Sequence, residues 1–344
     1  VKRKKPFIIP LFLPHAACPH HCLFCNQKTL HPENPAVDLA ALRRERDRWL
    51  AFPRDGERPV ELAFFGGNFL GLPEEDILGC VALVSETEGA GIRVSTRPDS
   101  LQDRVLSLLA TGGAGITVEL GVQSLDDRVL RRSARGHDAA SVERAVHMLR
   151  HYPVRVGAQM MLGLPGATEA SDRVSAQKLA ALGVDFVRVA PTLVLSGSGL
   201  ETLYRRGRYL PLDFAGAVQR TAVFSHILES CGIPVVRMGL QEDDALRSGL
   251  VAGPHHPAFG EWVRGYLLGE QVLTALNALG APEPGEGIVI RVSPRLRGRL
   301  QGMEGSNLPR FFQALFPAPF RIHTERNRAA DFWAVEREFL KKTL

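Results

Sequence analysis

No apolar run in the 344-residue chain reaches the roughly 18 residues needed to span a bilayer. Cysteine is scarce. There are five, an odd number, which excludes a disulfide framework and fits a reducing cytoplasm. No Gly-x-Gly-x-x-Gly or Walker pattern follows the first apolar stretch, which counts against a nucleotide-binding Rossmann or P-loop domain. Internal repeats and low-complexity tracts are missing too. What remains is ordinary globular composition, 45% hydrophobic and 23% charged. The length suits about two domains, with enough core that no structural metal is needed for stability alone.

The formal net charge of +5 is local in origin. Residues 291–328 hold eight arginines (Arg291, Arg295, Arg297, Arg299, Arg310, Arg321, Arg326, Arg328) against Glu304 and Glu325, a net of +6, so the rest of the chain carries −1. Such a segment attracts polyanions. At the other end, Lys2-Arg3-Lys4-Lys5 precede an apolar run from Pro6 to Ala17 that has the outline of a signal peptide. Pro6, Pro10 and Pro14 would break the helix such a segment forms. The reading is therefore a disordered basic tail, residues 1–5, followed by a strand, Phe7–Leu13.

Further apolar stretches at Val60–Phe65, Ile92–Thr96, Ile116–Val122, Val154–Leu162 and Val184–Ala190 alternate with helix-like segments near 37–52, 74–88, 101–110, 139–151 and 170–182. Strands apolar on both faces, alternating with helices, predict a parallel sheet covered by helices, either an open doubly wound sheet or a barrel. In both, the loops after the strands carry the chemistry. A helix around 213–230 and an apolar run, Ile233–Met238, follow. The Gly- and Pro-rich stretch Gly280–Gly287 predicts a domain boundary, dividing a core over 6–268 from a C-terminal domain over 280–344. That domain reads strand (Ile288–Val292), helix, Gly-x-x-Gly, helix (Asn307–Leu315), strand (Phe320–His323), helix (Arg328–Leu340).

One motif carries chemistry. Cys18-x3-Cys22-x2-Cys25 follows the first strand, and three thiolates within eight residues can wrap one face of a compact metal centre. A structural zinc usually needs four ligands, and no second Cys-x-x-Cys or finger-spaced His pair follows, though His15, His20 and His21 keep a mixed zinc site open. An iron–sulfur cluster usually takes four cysteines, so three leave one iron open for a substrate or cofactor. Cys80 and Cys231 lie in helix-like segments and read as buried small hydrophobes.

The chain here resembles the radical S-adenosylmethionine (SAM) enzymes, whose signature is Cys-x3-Cys-x2-Cys with an aromatic, here Phe24, before the third cysteine. Phe64-Phe65-Gly66-Gly67-Asn68-Phe69, Val94-Ser95-Thr96-Arg97, Val118-Glu119-Leu120-Gly121-Val122-Gln123-Ser124, Arg131-Arg132-Ser133-Ala134-Arg135-Gly136-His137 and Gln159-Met160-Met161-Leu162-Gly163-Leu164-Pro165-Gly166 follow in the family's order. Together they most resemble the branch of the elongator catalytic subunit and its bacterial relatives, with oxygen-independent coproporphyrinogen oxidases as cousins. The elongator catalytic subunit spaces its first two cysteines more widely and carries an acetyltransferase domain, for which the chain after residue 260 is too short.

The resemblance implies a partial (β/α)6 TIM-like barrel of parallel strands, an α/β fold. It implies that Cys18, Cys22 and Cys25 hold three irons of a 4Fe–4S cluster while SAM chelates the fourth. One electron, from a reductase or a flavodoxin or ferredoxin, then cleaves SAM to a 5′-deoxyadenosyl radical that takes hydrogen from a substrate. Gly66 and Gly67 would let the backbone approach SAM, with Asn68 beside them. Ser95, Gln123 and Gln159 would meet ribose, Arg135 would fork to the SAM carboxylate, and Met161 would pack on adenine. Glu119 would pair with Arg135 or face the cavity, and His255 and His256 are candidates for reaching the substrate.

The last segment, with Gly302-Met303-Glu304-Gly305 between two helices, resembles a KH-type βααβ core, a small α+β module that clamps nucleic-acid backbone on such a loop. Glu304 stands where a basic residue would be expected. Phe311, Phe312 and Phe316 read as core. The expectation is a cytoplasmic radical SAM enzyme acting on RNA, with tRNA as the expected class, through the Arg-rich segment. Its rivals are an enzyme for a small molecule or porphyrin, and a non-catalytic metal or haem carrier.

Overall fold

Apolar runs bounded by Gly and Pro form one seven-stranded parallel sheet in the computed structural model, which describes residues 6–13, 17–26, 36–53, 58–110, 114–279, 286–315, 318–326 and 328–339. The predicted tail (1–5), His15 and most of the Gly/Pro-rich stretch (280–285) lie outside them. The sheet runs β1 (Phe7–Phe12), β2 (Val60–Phe65), β3 (Gly91–Thr96), β4 (Ile116–Gln123), β5 (Val154–Leu162) and β6 (Phe186–Pro191). After a short β7 (Val194–Leu195), β8 (Val235–Met238) adds the seventh strand; β7 itself pairs with β9 (Leu250–Ala252). The spatial order never reverses. A doubly wound sheet has a switch point where it does, so this sheet is the half-barrel kind.

Helices α1 (Leu39–Leu50), α2 (Glu74–Ser85), α3 (Asp103–Leu109), α4 (Asp127–Arg132), α5 (Ala139–Leu149) and α6 (Glu169–Leu182) connect successive strands. Four of their starts are capped: Asp38, Asp126, Asp138 and Thr168 accept from backbone N–H groups of the first turn. Beyond β7 lie α7 (Gly199–Arg205), α8 (Phe214–Ser230) and α9 (Asp244–Gly249). Alternate strand residues point to opposite faces. Phe64, Ile92, Val94, Val118, Leu120, Val156 and Val187 are fully buried on the apolar face. The other face carries Glu61, Arg93, Ser95, Glu119, Gln159 and Arg188.

The chain divides into two units, Val1–Ala217 with Ile227–His255, and Val218–His226 with His256–Leu344. The second contains α10 (Phe259–Leu279), β10 (Glu286–Val292), α11 (Arg297–Gln301), α12 (Leu308–Leu315), β11 (Phe320–Thr324) and β12 (Trp333–Phe339). Helix α10 thus belongs with the C-terminal elements, because Leu268, Val272 and Leu276 share a core with Ile288, Ile290, Val292, Leu300 and Phe311. This differs from the expected division at 268 and 280.

The βααβ order is present, with β10 central, parallel to β11 and antiparallel to β12. The helix expected over Arg328–Leu340 is instead strand β12. Its contacts, not its residue types, alternate: Trp333 and Val335 pack on the core. On the alternate positions, Glu336 accepts from Arg291 at 2.7 Å and Glu338 from Arg321 at 2.7 Å. Phe311 is core, edge-on to Phe320 at 6.4 Å between centroids; the side chains of Phe312 and Phe316 lie outside the described set.

Candidate metal and cofactor site

Cys18, Cys22 and Cys25 lie on the loop that leaves the C-terminal end of β1. Cys22 is buried, Cys18 half-buried and Cys25 exposed. The Cys25 N–H donates to the Cys22 carbonyl at 3.1 Å, the Leu23 N–H to the Ser133 carbonyl at 3.0 Å, and the Leu200 N–H to the Leu23 carbonyl at 2.8 Å, so the loop is tied on both sides. Burial and then the neighbouring Cys25 and Cys22 push the Cys18 thiol up, while Arg135 and Arg97 pull against them. Cys80 is fully buried on α2, its thiol pushed up to about 12 by burial. Cys231 is exposed rather than buried, because it caps the end of α8.

Asn68 is 1% exposed and holds the loops after β1, β2 and β3 together. Its Nδ2 donates to the Ala17 carbonyl at 3.0 Å and to Ser100 Oγ at 2.8 Å. Its Oδ1 accepts from Thr96 Oγ1 at 2.9 Å and from the Arg97 N–H at 3.0 Å. An amide offers two donors and two acceptor sites, and all are used, so Asn68 fixes the residue before Cys18 and has nothing left for a ligand. Gly66 sits at φ +100, where a Cβ would come within 2.4 Å of the Phe12 ring and 2.8 Å of the Leu13 carbonyl. Its lack of a side chain serves the close approach of β2 to β1. Gly67 follows it, half-buried.

Arg135 comes in from the segment after α4. Its Nη1 donates to Cys22 Sγ at 3.3 Å and its Nη2 to the Gly121 carbonyl at 2.5 Å. A Cβ at Gly121 would lie 2.6 Å from that Nη2. Arg135 Nε is buried with no partner among the described residues, and so is His137 Nε2. Burial, then the Arg135 charge, push His137 down to about 4. Arg97 donates to both oxygens of Asp99 at 2.9 Å and to the Arg135 carbonyl at 2.6 Å. His20 lies 4.0 Å from Asp99 and packs over Gly136, at φ +80. Gln123 ends β4 at a register shift with φ +66, a backbone state rare for a side-chain-bearing residue and typical of functional strand ends.

Ser95, Glu119 and Gln159 meet on the polar face. Gln159 Nε2 donates to Ser95 Oγ at 3.2 Å and to Glu119 Oε2 at 2.8 Å. Glu119 is 1% exposed. It pairs with Arg93 at 2.7 Å and Arg188 at 3.0 Å, not with Arg135. Burial works to raise its pKa, but Arg188, Gln159 and Arg93 outweigh that and hold the carboxyl below its usual value. Met161 is half-buried on β5, in register with Ala190. His255 Nε2 is buried with no partner among the described residues, and His255 lines a cavity with Asp213, while His256 Nδ1 accepts from the Ala258 N–H at 2.9 Å and is structural. Arg93, Arg188 and Arg237 have no place in the sequence motifs, and Arg97 stands in one without a role. Their signal was an arginine inside or ending an otherwise apolar strand.

The Arg-rich segment is less positive than it reads. Arg291, Arg299, Arg310, Arg321 and Arg328 pair with Glu325, Glu336, Glu261, Glu270 and Glu338. Four of these acids lie outside 291–328. Over residues 256–344, twelve Lys and Arg face nine Asp and Glu, a net of +3. The Gly302–Gly305 turn is seated on α10: a Cβ at Gly265 would meet Gly302 Cα at 3.4 Å, and Asn307 Nδ2 donates to the Gly265 carbonyl at 2.9 Å. It is a packed turn with an exposed Glu304 at its tip, not a free basic clamp.

The residues fit an iron–sulfur centre with a chelating cofactor. Three soft thiol donors on one short loop would hold three irons of a 4Fe–4S cluster and leave the fourth for a chelating cofactor. A buried guanidinium with an unpartnered Nε beside them is suited to a carboxylate. Among the described residues, no three His, Cys, Asp or Glu groups converge on a point for a single ion.

Residues 13–179 match the family model of the radical SAM superfamily, and residues 184–268 that of the radical SAM C-terminal domain. The chain is similar to an uncharacterized protein of Methanocaldococcus jannaschii, 27% identical over 226 residues, 61% of this chain and 68% of the relative. Among solved structures it is similar to archaeal Elp3 of Methanocaldococcus infernus, with a TM-score of 0.60 and 19% identity, covering 83% of this chain and 71% of that one. Streptococcus suis SuiB bound to S-adenosylmethionine gives a TM-score of 0.50 at 13% identity, over 70% of this chain and 51% of its own. At such identities the likeness is one of fold.

Proposed function

This chain belongs to the radical SAM superfamily, with a 4Fe–4S cluster and S-adenosylmethionine as its cofactors, and from that premise we propose that it is an enzyme that modifies RNA, with tRNA as substrate. When bound, the two cofactors supply one-electron cleavage of a carbon–sulfur bond and removal of a hydrogen atom from the substrate. The rest falls to this chain's side chains. Cys18, Cys22 and Cys25 hold three irons. Arg135, anchored on the Gly121 carbonyl, presents to the SAM carboxylate its Nε–H, which has no partner among the described residues. Ser95, Gln123 and Gln159 supply hydroxyl and amide groups for the ribose, and Met161 an apolar surface for the adenine. Asn68 and Gly66 position the loops. A reductase, flavodoxin or ferredoxin delivers the electron.

The observation that carries the cofactor reading is the Arg135 guanidinium at 3.3 Å from Cys22 Sγ with a buried, unpartnered Nε. The RNA reading is supported by the elongator-like run of motifs from Cys18 to Gly166, alongside the fold shared with Elp3. It draws less on the Arg-rich segment, whose charge is largely paired.

The test is 5′-deoxyadenosine formation by anaerobically reconstituted protein with reductant, with and without bulk tRNA. Strong stimulation by tRNA is expected. Slow cleavage indifferent to RNA would replace RNA with a small molecule or porphyrin. No cleavage by a fully loaded protein would leave a non-catalytic carrier.

A further inference from the structure

Strands β5, β6 and β8 are in register at Gln159, Arg188 and Arg237. Gln159 and Arg188 both reach Glu119 on the polar face, and Arg188 also lies over the Phe65 ring of β2, 5.9 Å from its centroid. Arg237 joins them through an irregularity. Val187 pairs with Val235 and Arg188 with Arg237, so Val236 is an extra residue, 57% exposed. In an unbroken ladder Val236 would stand beside Arg188, and Arg237 would turn to the apolar face beside Val189. Bulges of this kind re-aim a side chain next to functional sites.

The bulge thus puts two like charges side by side, an arrangement that destabilises a sheet. Negative charge on that face is already committed. Glu119 accepts from Arg93 at 2.7 Å, Gln159 at 2.8 Å and Arg188 at 3.0 Å, and Glu61 is held by Arg93 at 2.6 Å. Arg237 donates to an amide oxygen, Gln241 Oε1, at 3.3 Å. Arg93, Arg188 and Arg237 set against Glu61 and Glu119 leave one positive charge in excess. Burial, and then Arg188, lower the Arg237 pKa, but a guanidinium stays protonated. The Arg188 side chain is 31% exposed, so the pair is half-sheltered and within reach.

We infer that Arg188 and Arg237 form the seat of a phosphate group of the substrate, held by two adjacent guanidinium forks. Gly121, whose carbonyl anchors Arg135, is in register with Gln159, so the seat lies two to three strand spacings, about 10–14 Å, across the sheet from that anchor. The inference rests on the function proposed above for making the phosphate that of an RNA.

The test treats the full reconstituted protein with phenylglyoxal in rising inorganic phosphate, or in potassium chloride of equal ionic strength. Adducts at Arg188, Arg237 and the exposed Arg326 are counted by peptide mass mapping. Phosphate is expected to slow modification of Arg188 and Arg237 several-fold and to leave Arg326 unchanged. In Arg237→Gln the protection of Arg188 is expected to disappear, and in Arg237→Lys to persist in part. Equal rates in phosphate and chloride, or equal protection of Arg326, would overturn the inference in the unmutated protein, whatever the variants do. Protection at this pair without tRNA-stimulated cleavage would keep the seat and remove RNA as its ligand. Stimulation by tRNA without protection would remove the seat alone.

Discussion

Asn68 illustrates what a motif can and cannot say about a single side chain. It stands in the Gly-Gly segment that the resemblance places beside SAM, yet its amide is spent on Ala17, Thr96, Arg97 and Ser100. Replacing it by Ala strands a buried carbonyl and a buried N–H, which costs about 2–4 kcal/mol. Asn68→Ala is expected to lower the urea midpoint accordingly and to reduce the iron retained per chain after reconstitution, because Ala17 precedes Cys18. Unchanged iron content at a lowered midpoint would separate stability from the cysteine loop. The cysteines themselves were legible because thiolate chemistry needs close spacing along the chain. The partners of Arg135 and Glu119 were not, since Cys22, Gly121, Arg93 and Arg188 meet them from distant segments.

Among the elements, strands buried on both faces were readable as apolar runs. β12 has no legible period in the sequence: Trp333-Ala334-Val335 are apolar, Glu336-Arg337-Glu338 are charged and Phe339 follows, a run that suits a helix as well as a strand; only its pairing with β10 settles it. The β8 bulge left no sequence signal at all, being defined by register. The α10 face shows a third case, where glycines inside a helix exist for a neighbour. A Cβ at Gly269 would meet Asn307 Oδ1 at 2.6 Å. Asn307 has little freedom to retreat, since its Nδ2 is bonded to the Gly265 and Leu300 carbonyls. Alanine favours a helix over glycine by roughly 1 kcal/mol, but here overpacking of about 1–3 kcal/mol should win. Gly269→Ala is expected to lower the melting temperature, and a rise would show that the turn yields.

For the molecule as a whole, charge is distributed differently from its count along the chain. The +6 segment pairs with acids from α10 and β12, so its attraction for polyanions is smaller than the arginine count suggests. Stability against pH should also carry a signature of the site. His137 is buried, and its pKa falls from 6.5 to about 4. Between those values the unfolded chain binds a proton that the folded chain does not, so stability rises with pH through that window and is lost as pH falls through it. The loss is at most roughly 3 kcal/mol. Urea unfolding of the metal-free protein at pH 7 and at pH 4.5 should show a smaller drop for His137→Asn than for the unmutated chain. Equal drops would mean that the imidazole is not kept neutral.

Spacing along the chain was enough to establish the parallel α/β architecture, the three-cysteine loop and the order of the site motifs, because each depends on local chemistry: apolar runs, Gly and Pro punctuation, thiols a few positions apart. The tertiary structure decided which groups remain available. It consumed the Asn68 amide, left Arg135 Nε open, neutralised most of the C-terminal arginines and turned Arg237 towards Arg188. These outcomes depend on hydrogen bonds, ion pairs and strand registers between residues far apart in sequence, and no local pattern encodes them.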